Sequence, residues 1–158
     1  MIKNSLFVIG AVAFLSAPAF ASGLQATQIV EVADIKIDAD GNEVKTFISS
    51  SEIAPGDEVR YRLVYDNQGD SDALDVNLVM PVPVEINFIE GSATSQEASV
   101  VYSVDDGVSF ADRGDLRILI DGEDRIATSE EITHIKWTFT EAIEAGDTGE
   151  ISFRGVLQ

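Results

Sequence analysis

The stretch "EIAPGDEVRYRLVYDNQGDSDALDVNLVMPVP", residues 52–83, sets two runs of alternating apolar and polar residues between three turn signals. Pro55 presets φ and Gly56 is free to take positive φ, so APGD is a turn that launches a strand. Val59, Tyr61, Leu63 and Tyr65 then fall on one face, and Glu58, Arg60 and Arg62 on the other, with Val64 the exception. A period of two is the signature of a half-buried strand. QGDSD, 68–72, is the next turn, and ALDVNLVM follows with Leu74, Val76, Leu78 and Met80 expected inward. The PVP at 81–83 ends the run, because proline cannot donate to a central ladder. A shorter echo, AIEAGDTGEISFRG at 142–155, repeats the device of a Gly-Asp turn feeding a strand.

Working outward, Gly and Pro punctuate the chain about every ten residues, with Val, Ile, Tyr, Phe and Thr between them. In TQIVEVADIKI, 27–37, Val30 and Val32 alternate, and Ile35 and Ile37 alternate one step out of phase, which predicts a bulge or a strand that changes sheets. DADGN, 38–42, is a tight turn across which EVKTFISS, 43–50, can pair back. SVVYSVDDGVSF, 99–110, reads as strand, turn, strand about Asp106-Gly107, LRILI as a short strand of unclear face, and 121–131 as a polar loop. ITHIKWTF places Ile135, Trp137 and Phe139 on one face. The expected fold is all-β, an antiparallel sandwich of about eight or nine strands with no substantial helix.

Residues 45–157 resemble the bacterial and archaeal conserved-repeat domain, the domain-of-unknown-function-eleven family. The resemblance is carried by the Pro-Gly-Asp turn and Asn-ended strand of APGDEVRYRLVYDN, the run to VMPVP, INFIEGSA at 86–93, VYSVDDGVSF at 101–110, and the Trp strand and final Gly-Asp turn of IKWTFTEAIEAGDTGEISFRGVL at 135–157. It implies an immunoglobulin-like sandwich working outside the cytoplasm, and it implies no enzymatic activity. The chain carries one copy of the pattern, where many members carry tandem repeats.

The first 21 residues combine Lys3, an apolar run from Leu6 to Leu15 and the A-x-A sequence Ala19–Ala21, the pattern of a cleaved secretory signal peptide. The expectation is export to the periplasm, the cell surface or the medium, with a single domain over 22–158 and no stable membrane insertion once the signal is removed. With no cysteine, the fold is held by packing and not by disulfides. The formal charge of −18 disfavours a nucleic-acid partner, since like charge repels a phosphate backbone.

The chemistry-bearing residues are few. His134 is the only histidine, and it has no nucleophile turn such as G-x-S-x-G to work with, so it reads as a surface residue of its strand. Asp38, Asp40 and Asn42 place oxygen ligands at alternate positions, the opening of a calcium loop. A twelve-residue loop from Asp38 would however end at Ser49 instead of a glutamate, and Asp-Gly and Gly-Asn pairs also favour a hairpin turn. Ca²⁺ is therefore the one cofactor the sequence raises. Trp137, Tyr61 and Tyr65 alternate with aliphatic residues and read as core. Two features point to a protein partner or to self-association. One is the strand Ile29, Val30, Val32, Ile35 and Ile37, which serves either as the first strand of its own sandwich or as a strand exchanged into a neighbour to build a filament. The other is the pair Arg60 and Arg62, either a docking patch or cross-strand partners of carboxylates. The expected function is a non-catalytic exported module acting through protein contact, with a surface filament or a calcium-dependent adhesin as alternatives.

Overall fold

The computed structural model describes residues 23–50, 52–93 and 95–158. The expected signal peptide lies outside them. The described chain is all-β: β1 (Leu24–Ile37), β2 (Glu43–Ile48), β3 (Glu58–Asn67), β4 (Asn77–Pro81), β5 (Ile86–Phe88), β6 (Ala98–Ser103), β7 (Arg117–Ile120), β8 (Glu123–Ile126), a single 3₁₀ turn (Ser129–Glu131), β9 (His134–Phe139) and β10 (Thr148–Leu157). Every strand pairing is antiparallel. Five strands form one sheet in the order β2-β1-β3-β10-β5, three form a second as β4-β9-β6, and β7-β8 stand as a separate hairpin.

The two larger sheets share one core. The alternation of β3 buries Val59, Tyr61, Leu63 and Tyr65, and that of β9 buries Ile135, Trp137 and Phe139. Tyr61 stacks on Phe153 of β10 with ring centroids 4.9 Å apart, Tyr65 meets Phe139 edge-on at 5.1 Å, and Phe88 of β5 tilts against Tyr102 of β6 at 5.7 Å. The last two contacts cross from one sheet to the other, giving the layered arrangement of a sandwich. Gly149 and Gly155 of β10 lie where any Cβ would overlap the Tyr65 ring and the Ile86 side chain, so both strand glycines are close-approach positions.

The repeated Gly-Asp device has a topological reason. β3 and β10 are antiparallel neighbours paired from Glu58–Val156 to Asp66–Thr148. Each Gly-Asp turn starts one of the two strands and receives the end of the other. Gly56 N–H donates to Leu157 O at 2.7 Å and Leu157 N–H to Asp57 O at 3.0 Å; at the other end Asn67 N–H donates to Asp147 O at 2.9 Å and Gly146 N–H to Asn67 O at 2.8 Å. The two echoes are the two ends of one central ladder.

Four expectations need correction. The chain reverses at Asp106-Gly107, but no second strand follows within 99–110; the return is a single bridge of Ala111 to Tyr102, because the Asp105 side chain bonds to Ser103 and Ser109 hold 103–109 as a loop. Leu74 is 66% exposed rather than inward, because Asp75 takes φ 52° and breaks the alternation before β4 begins; Ala73, bridged to Ile143, is buried instead. Residues 121–131 are not a plain loop: Asp121 and Gly122, at φ 53° and 85°, form the two-residue turn of the β7-β8 hairpin. The phase change in 27–37 is neither a bulge nor a change of sheet. The ladder of β1 is continuous, but its partner changes at Val32, from β3 over Leu24–Val32 to β2 over Val32–Ile37. Odd positions face outward throughout, so Ile35 and Ile37 sit on the outer face beyond the end of β3.

Candidate interaction surface

On the outer face of the five-stranded sheet, Glu31 of β1 stands opposite Arg60 of β3, and Ile29 opposite Arg62. Glu31 is only 6% exposed. Its carboxylate accepts from Arg60 Nε at 2.8 Å and Nη2 at 2.6 Å and from Arg62 Nη2 at 3.2 Å, while Arg62 Nη1 reaches Glu150 of β10 at 2.9 Å. Glu58 accepts from Lys45 of β2 at 2.6 Å and from Arg154 of β10 at 2.7 Å. Burial by itself would raise the pKa of Glu31, and the hydrogen bonds and charges of Arg60 and Arg62 outweigh it and hold the carboxyl below its ordinary range; Lys45 and Arg154 do the same against burial for Glu58. Arg60 and Arg62 are thus engaged by carboxylates across the strands. The network also ties β2 to the sheet, through Lys45 and through the Arg60 guanidinium lying 4.7 Å from the Phe47 ring centroid.

Beyond Val32, β1 and β2 continue the sheet past the end of β3 as a two-stranded arm. Ile35 and Ile37 are 57% and 65% exposed on one face, next to Lys45 and Glu43 in register; Val44 and Ile48, 42% and 43% exposed, lie on the other. Ile29, Val30 and Val32 are half-buried where β1 still pairs with β3. At the tip, Asp38 accepts from the N–H groups of Asp40 and Asn42, both at 2.9 Å, and Gly41 at φ 85° completes the turn. Asp40 joins through its backbone, and Asn42 through its backbone and its amide. The Asp38 carboxylate is occupied in closing the hairpin, and among the described residues no cluster of three or more His, Cys, Asp or Glu side chains is placed to hold a metal ion.

Two further places bear on chemistry. A cleft of about 350 Å³ is lined by Tyr65, Glu97, Phe139, Glu144 and Asp147 among others. Tyr65 donates to Glu97 Oε2 at 2.8 Å, and burial followed by that hydrogen bond pushes its pKa up. His134 packs beside Gly107, its Nδ1 buried without a hydrogen-bond partner among the described residues, and burial lowers its pKa although Asp106 and Asp105 pull the other way.

Asp105 organises the loop beside His134. Its carboxylate accepts from Ser109 Oγ at 2.6 Å, Ser103 Oγ at 2.7 Å and Ser109 N–H at 2.9 Å, and these bonds, that of the Ser109 hydroxyl first, bring its pKa down to about 2. A carboxyl with a depressed folded pKa stabilises above its unfolded value, about 4, and that contribution is lost as pH falls through the folded value. The wild-type melting temperature is therefore expected to drop more steeply from pH 4 to pH 2 than that of Asp105→Asn. Parallel curves in scanning calorimetry would refute the role of this carboxylate.

No protein-family model, curated protein or solved structure matches the chain. Sequence reasoning placed the pairing of EVKTFISS across the turn but gave Val44, Phe47 and Ile48 of β2 no part in an interaction surface. The signal was present in EVKTFI, whose apolar residues occupy both faces, as a strand without a core would allow.

Proposed function

We propose that this protein is an exported, non-catalytic interaction domain that works by protein–protein contact at the cell envelope or outside the cell. The observation that carries the reading is the arm: a two-stranded extension of the sheet beyond β3 with large apolar side chains exposed on both faces. Two strands alone are marginal in water, and apolar side chains held out from a very acidic surface suit a partner. The Lys45–Glu58 ion pair and the Arg60–Phe47 contact tie the base of the arm to β3. Export rests on the signal-peptide pattern, and the immunoglobulin-like assignment on the resemblance to the conserved-repeat family.

A photo-crosslinking residue placed at Ile37 in producing cells tests this. It is expected to give a discrete protein adduct, while the same residue at Leu119, equally apolar and exposed on β7, gives none. Absence of an adduct at position 37, or equal labelling at 119, overturns the proposal.

A further inference from the structure

The partner change at Val32 leaves part of β1 with an open edge. In the β1–β2 hairpin, Asp38 N–H bonds Asn42 O, so the even-numbered residues of β1 direct their backbone groups toward β2. In the β1–β3 ladder, Gly23 O accepts from Gln68 N–H, so the odd-numbered residues direct theirs toward β3. This is the alternation an antiparallel strand must show. β2 covers the outer side only from Val32 onward. The N–H and C=O groups of Leu24, Ala26, Gln28 and Val30 therefore point away from the sheet with no backbone partner among the described residues. Gln28 Oε1, in the middle of this edge, is also buried without a hydrogen-bond partner among them.

We infer that this edge pairs with the same edge of a second copy, β1 against β1 and antiparallel about a two-fold axis. The inference rests on the reading of the chain as an interaction domain and adds to it a contact with a second copy at an edge separate from the arm. Charge supports it. A chain at −18 repels its own copies, so a stable contact must fall where the acids are absent. LQATQIV, 24–30, has no charged residue, and on the outer face beside it Lys45, Arg60, Arg62 and Arg154 offset Glu31, Glu58 and Glu150, so this region is close to neutral in a strongly acidic chain.

The other strand edges are blunted in the ways that prevent pairing. β2 carries Glu43 and Lys45, β4 ends in Pro81, β5 has three residues, β7 and β8 are laced with charge, β10 carries Glu150, and β6 is closed at Tyr102 by its bridge to Ala111. Geometry supports a self-fit too. The free segment is bounded at Val32 by the end of β2. With Thr27 facing its symmetry mate, Leu24 lies opposite Val30 and Ala26 opposite Gln28, and every outward backbone group between 24 and 30 gains a partner. The contact is isologous and closes as a dimer.

Thr27 is exposed on the outer face, so charge there tests the pairing without touching the core. The chain, purified from a bacterial host that exports it, is expected to sediment as a dimer. Thr27→Lys and Thr27→Glu are each expected to sediment as monomers with unchanged circular dichroism, because like charges then meet on the axis. An equimolar mixture of the two is expected to recover the dimer. A wild-type monomer at high concentration, or dimers that survive both substitutions, overturns the inference. So does a mixture that remains monomeric. Crosslinking at Ile37 to a different protein alongside a wild-type monomer would overturn the self-pairing and leave the interaction reading standing, whereas loss of the Ile37 adduct would remove that reading itself.

Discussion

Replacing Trp137 with alanine is expected to lower the free energy of unfolding by about 3–5 kcal/mol, the range for truncating a large buried aromatic. Trp137 is fully buried in β9, the central strand of its sheet, between Leu78 of β4 and Val100 of β6 in register. Domains of this size have about 5–15 kcal/mol in total, and without cysteine no covalent link offsets the loss. Most of the effect is cavity and lost transfer energy rather than lost hydrogen bonding, because the indole Nε1 has no partner among the described residues. Trp137→Phe separates the two contributions. It keeps an aromatic in place, removes a buried unpaired donor, and is expected to cost clearly less than the alanine variant. Urea unfolding followed by circular dichroism measures both. An alanine cost below about 1 kcal/mol, or a phenylalanine cost equal to it, would mean that β9 is not at the centre of a dry core.

The core strands were legible because burial on one face writes a period of two. β3 and β9 show it plainly, and their inward residues are those the alternation names. Legibility fails where one face does not meet the core. The β7-β8 hairpin is largely exposed, so Arg117–Ile120 shows no clear face, although its Asp-Gly turn was present to be read. Ile35 and Ile37 looked like a core face displaced by one, since sequence alone cannot tell a strand that runs on past its neighbour from one that bulges beside it. The burial of Glu31 was hidden for a different reason. A single glutamate in TQIVEVAD signals nothing until two arginines from β3, both on the same face, are brought over it. The open edge of Leu24–Val30 belongs to topology alone: it depends on where β2 stops, beyond which no described strand covers that side of β1. The polar residue at the end of β3 could be read as an ending but not as a hub.

Substituting that residue, Asn67→Asp, replaces one side-chain nitrogen by oxygen and is expected to cost about 3 kcal/mol or more at pH 7, in the range for an uncompensated buried charge. Asn67 is 2% exposed. Its Nδ2 donates to Ile143 O at 2.9 Å, Ser71 O at 3.0 Å and Glu144 O at 3.2 Å, while Oδ1 accepts from Gly69 N–H at 3.2 Å. One amide thus closes the 68–72 turn and clips it to the turn before β10. A carboxylate of the same shape keeps the acceptor and turns its second oxygen, lone pairs first, toward three carbonyl oxygens. Its only relief is protonation, which supplies one O–H donor. The introduced carboxyl must therefore have a folded pKa raised above its unfolded value of about 4. With the folded pKa raised, the variant comes closest to wild type below pH 4 and loses stability as pH rises through the folded pKa. Asn67→Ala, which leaves the carbonyls unpaired but introduces no charge, is expected to cost about 1–3 kcal/mol with no such added pH dependence. Chemical denaturation of the three proteins between pH 4 and pH 7 separates the cases. A gap between wild type and Asn67→Asp that stays constant over that range would show that water reaches these carbonyls, and that the 68–72 turn and the turn before β10 are joined without the Asn67 amide, by their backbone bonds and the Ala145 N–H bond to Asp72.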